Sequence, residues 1–289
     1  MPIEQMLPAR VKDLGGGFTV RRLLPAFPRQ GVGPIVFFDH FGPVTTRPED
    51  RHDVRPHPHI GLATVTYLFE GAMLHRDSLG CVQRIEPGAI NWMTAGRGIV
   101  HSERRPPDLA ATTYTAHGLQ LWAALPVAFE EVEPSFVHTS GDAIPAWTQQ
   151  GADLRLLIGE AFGRRSPVAT FAPTLYLDVA AGPGAALDLP VFDDTFERAV
   201  YGVDEPLAVD GAELPAHTMA ILAPGAPATV VAPRGGRFVV VGGAPLDRPR
   251  FMWWNFVSSR RERIERAKVD WTSQRMGTIP GEHEWIPLP

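Results

Sequence analysis

The chain has 289 residues, is 44% hydrophobic and carries a formal net charge of -5. That is ample apolar material for one large core or two ordinary ones, with no cationic excess to favour nucleic acid. No stretch is long and apolar enough to cross a bilayer as a helix, Glu4 and Pro8 interrupt any signal-peptide core near the start, and the single cysteine, Cys81, allows no intramolecular disulfide.

These features predict a soluble, cytoplasmic protein with no membrane or direct nucleic-acid partner. The 28 glycines and 29 prolines cut the chain into short apolar runs, and the first clear run is Ile35-Val36-Phe37-Phe38. Such runs, too short for helices and rich in β-branched and aromatic residues, read as strands of an all-β sandwich or barrel.

Next comes His57-Pro58-His59. Residues two apart in a strand face the same side, so both imidazoles project together. A proline within a strand belongs at an edge, a bulge or a strand start, which places the pair near a barrel mouth. Continuing the alternation puts Gly61 and Ala63 beside the histidines, with Val65, Tyr67 and Phe69 lining the deeper interior. A second pair, His101-Ser102-Glu103, follows the turn signal Gly96-Arg97-Gly98. A lone His-x-His reads equally well as a polar strand face. With a second pair on a neighbouring strand, three imidazoles and a carboxylate converge, a set that suits iron, copper, nickel or zinc and leaves two positions open on an octahedral ion.

Farther along, Thr139 to Gly151 is rich in small, polar and turn residues and predicts a linker. It separates an N-terminal β-domain (1–138) from a C-terminal one (152–289). The second half has strand runs such as Leu154 to Ile158 and Phe238 to Val241. Its His217 has no partner two residues away, so no metal is expected there. Arg260 to Lys268 predicts a short C-terminal helix, with Ser259 and Glu262 as a capping box and Ile264, Ala267 and Trp271 as an apolar stripe. The alternating Arg and Glu residues beside it read as a solvated face.

The segments around these pairs resemble the pirin family of cupins. The resemblance is carried by Phe38-Asp39-His40-Phe41-Gly42, His57-Pro58-His59, Thr64-Val65-Thr66-Tyr67-Leu68 and His75-Arg76-Asp77-Ser78-Leu79-Gly80. It continues in Trp92-Met93-Thr94-Ala95-Gly96, Gly98-Ile99-Val100-His101-Ser102-Glu103, His117-Gly118-Leu119-Gln120-Leu121-Trp122 and Asn255-Phe256-Val257. It implies a bicupin of two jelly-roll barrels with one metal, in the first barrel only, held by His57, His59, His101 and Glu103. The ion implied is Fe(II), with Cu, Ni, Zn or Mn as alternatives. The implied activity is that of a metal-dependent dioxygenase of the quercetin 2,3-dioxygenase type, with a small aromatic substrate and dioxygen as partners. Glu103 would be the catalytic base. The rival reading is a redox-sensing metal protein that regulates a protein partner.

Many pirins have Arg-Gly-Phe-Glu after His-Pro-His; this chain has Ile60-Gly61-Leu62-Ala63, which leaves Glu103 as the only carboxylate ligand and makes the entrance more apolar. His75 reads as a group orienting a ligand histidine or as a surface residue. His117 reads as another group orienting a ligand or, preferably, as a packed core residue, Cys81 as a thiol with no basic neighbour in sequence, and Trp253, Trp254, Trp271 and Trp285 as covers for the barrels.

Overall fold

The Gly- and Pro-punctuated runs fold as short antiparallel strands in the computed structural model, which describes residues 2–15, 17–50 and 52–289. The chain divides into two compact units whose segments interleave. One gathers the segment up to Val11, Arg21–Phe38 and Asp142–Pro245; the other gathers Lys12–Val20, Asp39–Gly141 and Leu246–Pro289. The units are therefore not the consecutive halves, 1–138 and 152–289, that composition predicts. The N-terminal strand Ile3–Pro8 is drawn into the first unit by pairing with Thr218–Leu222.

The stretch from Thr139 to Gly151 is not a linker throughout. Ala146–Gln149 is a strand paired with Ala152–Ile158, and the turn residues between them, Gln150 and Gly151, both have positive φ, 50° and 78°. Two left-handed residues in a row match the right-handed twist of a tight hairpin, so the turn signal here belongs to a hairpin.

In the first unit a seven-stranded sheet runs Ile3–Pro8, Thr218–Leu222, Glu197–Gly202, Gly236–Gly243, Thr174–Ala181, Ala152–Ile158, Ala146–Gln149, beside a four-stranded sheet. Its interior is filled by Leu156, Leu177, Val179, Val200, Leu222, Phe238 and Val240.

The second unit contains a four-stranded sheet in the order Val54–His59, Ile99–Arg104, Met73–Asp77, Val82–Ile85. Strands Ser135–Thr139, Ile90–Thr94, Leu62–Glu70 and Tyr114–Ala124 lie in that order in a larger sheet. The C-terminal helix, Arg261–Thr272, runs four residues beyond Lys268 and buries Ile264, Ala267 and Trp271. These pack with Ile60, Val100 and Phe256, and with the half-buried Trp253 and Trp254; Trp285 is exposed.

The expected capping box is absent: the N-cap is Arg260, with no side-chain cap. The Ser259 hydroxyl instead donates to Glu130 at 3.0 Å. Glu130 is buried, ion-paired with Arg250 at 2.9 Å and also bonded by Ser258. A buried carboxylate is costly to leave unsatisfied, and it outcompetes the local cap.

Candidate metal centre

Strand Val54–His59 lies at the edge of its sheet, where Pro56 and Pro58 interrupt no central ladder. It pairs antiparallel with Ile99–Arg104, placing His57 opposite His101 and His59 opposite Ile99. The register then slips between His101 and Glu103, and Glu103 pairs with Val54. The slip leaves Arg55 and Pro56 as a bulge, a local device that re-aims the side chains around it.

The period-two spacing does what the sequence predicts for the histidines. Ring nitrogens of His57, His59 and His101, all buried, lie within 4.8 Å of one another. His59 Nε2 and His101 Nε2 are 3.1 Å apart. Glu103 does not join that close triad. It pairs across the neighbouring strand with His75, and its carboxyl bonds Thr66.

The alternation predicted past His59 fails at Gly61. Its φ of +67° resets the strand direction, and a side chain there would collide with the Val257 carbonyl. Strand Leu62–Glu70 consequently presents its other face to the histidines. Thr66, rather than Val65 or Tyr67, reaches Glu103, and its hydroxyl oxygen lies 2.9 Å from Gln120 Oε1. Across the ladder Gln120 lies opposite Thr66 and Trp122 opposite Thr64. Trp122 meets His59 edge-on, with centroids 5.1 Å apart. Ala63 and Gly61 therefore do not share the histidine face.

The tautomers are arranged for a cation. His57 Nδ1 bonds the Arg55 carbonyl at 2.9 Å, so Nδ1 carries the proton and the Nε2 lone pair is free. His101 Nδ1 lies 3.5 Å from His75 Nδ1, and His75 Nε2 lies 2.9 Å from Asp77 Oδ2. Asp77 is fully buried and accepts the N–H groups of Leu79 and Cys81 through its other oxygen. A carboxylate can only accept, so His75 donates from Nε2; a neutral His75 then accepts at Nδ1. His101 then donates from Nδ1 and turns its Nε2 lone pair inward. His59 Nδ1 is a buried nitrogen with no hydrogen-bond partner of good geometry. At 3.1 Å His59 Nε2 and His101 Nε2 are within hydrogen-bond distance of each other; with the His59 proton on Nδ1, towards the Asn255 backbone, both rings turn lone pairs inward, and three such imidazole nitrogens fit a borderline divalent metal.

Burial holds all three imidazoles neutral, the form that binds metal. His57 is lowered to about 4, mainly by desolvation, against the Arg55 bond and with repulsion from His75. His59 and His101 are lowered well below the usual range by burial and then by their neighbours. Glu103, half-buried by surface exposure yet enclosed around its carboxyl, is pushed up to about 7 by desolvation, with the Thr66 bond opposing.

Of the remaining sequence candidates, His75 is buried against the triad and stacks on Phe136, with centroids 4.2 Å apart, which excludes the surface reading. His117 does not join. Its Nε2 lies 2.8 Å from His40 Nε2 in a buried stacked pair. The Cys81 thiol is raised by burial and by Asp77, the opposite of activation. Sequence reasoning did not single out Thr66, Gln120, Trp122 or Phe136 as site residues. They are ordinary strand residues, and only the register brings them to the histidines.

Comparison with known proteins points to one family. The Pirin family signature matches residues 17–123, and that of the Pirin C-terminal cupin domain matches residues 176–277. A pirin-like protein of Caulobacter vibrioides is 45% identical, with 99% of both chains covered. Pirin of Homo sapiens is 34% identical over 93% of this chain and 91% of its own. The crystal structure of a quercetin 2,3-dioxygenase from Acinetobacter baumannii superposes with a TM-score of 0.91 at 35% identity, covering 99% of this chain and 94% of that one.

Proposed function

Because the chain belongs to the pirin family of bicupins, we propose that it holds one metal ion, Fe(II), on His57, His59, His101 and Glu103 and opens a flavonol-like aromatic substrate with dioxygen. The observation that carries this reading is the buried triad, whose ring nitrogens lie within 4.8 Å of one another. The chemistry such an ion would supply when bound is Lewis-acid activation and electron exchange with dioxygen.

The chain's own residues supply the rest. Glu103, bonded by Thr66 and enclosed around its carboxyl, is the carboxylate placed to take a phenolic hydroxyl proton. Thr66 bonds it, and Gln120 bonds Thr66 in turn. Trp122 and Phe136 give flat apolar walls beside His59 and His75, suited to an aromatic ring. The triad faces the interior of its barrel, which favours chemistry inside over redox signalling at an outer surface.

The test is oxygen uptake with quercetin by anaerobically purified, ferrous-loaded protein, with metal content measured in parallel. Glu103→Gln is expected to retain part of the metal while turnover falls by about two to four orders of magnitude, the usual span for a lost general base. His101→Ala is expected to empty the site. Fully loaded wild-type protein that consumes no oxygen with any flavonol would remove the enzymatic reading and leave the redox sensor.

A further inference from the structure

Past the helix the chain continues as coil to Pro289. This tail crosses the outward face of the sheet whose inward face carries the histidines. Ile279 is 3% exposed and packs with Ile60, Val100, Phe256 and Trp271. Glu282 accepts the Ser102 hydroxyl at 2.6 Å and is also bonded by Arg104; its side chain is only 7% exposed. The Ile286 N–H donates to the Pro56 carbonyl at 2.8 Å.

These anchor points are not scattered. Pro56 precedes His57, and Ser102 separates His101 from Glu103. Both lie at the register slip that decides where Glu103 points. A bulge leaves a backbone group outside the ladder, and here the tail takes up the one at Pro56. The geometry points to Glu282 as a positioning residue for the metal centre, and to the tail as a strap whose docking and metal binding reinforce each other. The claim rests on the metal-centre reading above. Coupling of this kind is reciprocal: if the docked tail favours the metal, bound metal must favour the docked tail by the same factor.

The experiment titrates cobalt(II), as a spectroscopic probe, into metal-free full-length protein: wild type, Glu282→Ala and Ile286→Pro. The second change removes the tail N–H that bonds Pro56, along with the isoleucine side chain, and fixes φ at that position. Both variants are expected to lose affinity by about tenfold, within the span usual for groups that orient metal ligands, and to shift the cobalt absorption bands. In the wild type, cobalt should slow hydrogen exchange at the Ile286 amide, and in Glu282→Ala most of that protection should vanish. A purely structural tail would alter the thermal midpoint without moving the bands or the metal-dependent exchange. Should Glu282→Ala strongly destabilise the metal-free protein, Ile286→Pro decides alone. Unchanged affinity and spectrum in the folded variants overturn the strap. A wild type that binds no cobalt refutes the metal centre itself, a separate outcome.

Discussion

At the scale of single residues the centre combines two opposed protonation preferences. The three histidines are held neutral below their ordinary pKa, and Glu103 is held protonated above its own. In the metal-free protein the signs differ. A lowered histidine withdraws stability as pH falls from 6.5 through about 4, and a raised glutamate withdraws it as pH climbs from 4.5 through about 7. At pH 6 the imidazoles are therefore already neutral, and the proton that remains is on Glu103. If Glu103 binds the metal as a carboxylate, loading at pH 6 should release close to one proton, falling towards none above pH 8. Calorimetric titrations in buffers of different ionisation enthalpy measure this directly. Release of no proton at pH 6 would show that the centre is a histidine triad alone, with Glu103 in another role.

At the scale of elements, the junction at Gly61 decides which face of strand Leu62–Glu70 meets the metal. Gly61 combines a left-handed backbone with direct apposition to the Val257 carbonyl, so a methyl group has neither the conformation nor the space. Gly61→Ala should cost about 2 kcal/mol or more and weaken metal retention, because the same junction fixes His59. Denaturant melts and elemental analysis measure the two effects; a variant as stable and as metal-loaded as wild type would sink this account. The same junction marks how far the sequence could be read. His57, His59 and His101 were legible because period-two spacing needs only a local strand. Thr66 and Gln120 were not, since a positive φ at Gly61 resets the alternation and nothing in the surrounding pattern signals it. Ser259 was misread for a related reason: its capping chemistry is local, but the buried Glu130 is a tertiary competitor. The hairpin at Gln150-Gly151 gave a correct turn signal and a wrong inference, since a tight turn within one unit has the same composition as a linker.

At the scale of the whole molecule, two cupin units share an architecture and differ in what fills them. The unit containing His57 turns histidines, Glu103, Thr66 and Gln120 inward. The other packs leucine, valine and phenylalanine into its core, and among the described residues the donors close enough together to hold an ion are those of His57, His59 and His101. The helix arginines are likewise accounted for within the protein. Arg260 and Arg263 pair with Glu131, and Arg266 lies 3.6 Å from Asp270, which leaves the basic residues of that face among acids rather than as a cationic stripe. The stoichiometry follows from the contrast between the interiors. Wild-type protein should saturate at one metal ion per chain, and the double variant His57→Ala/His101→Ala should hold none after dialysis. Saturating metal at one hundred times its Kd should also add about 2.7 kcal/mol to the stability of the wild type and nothing to the double variant. Elemental analysis paired with thermal melts tests both arms. A second ion that survives the double substitution would place donors in the apolar unit and overturn the assignment of a single centre.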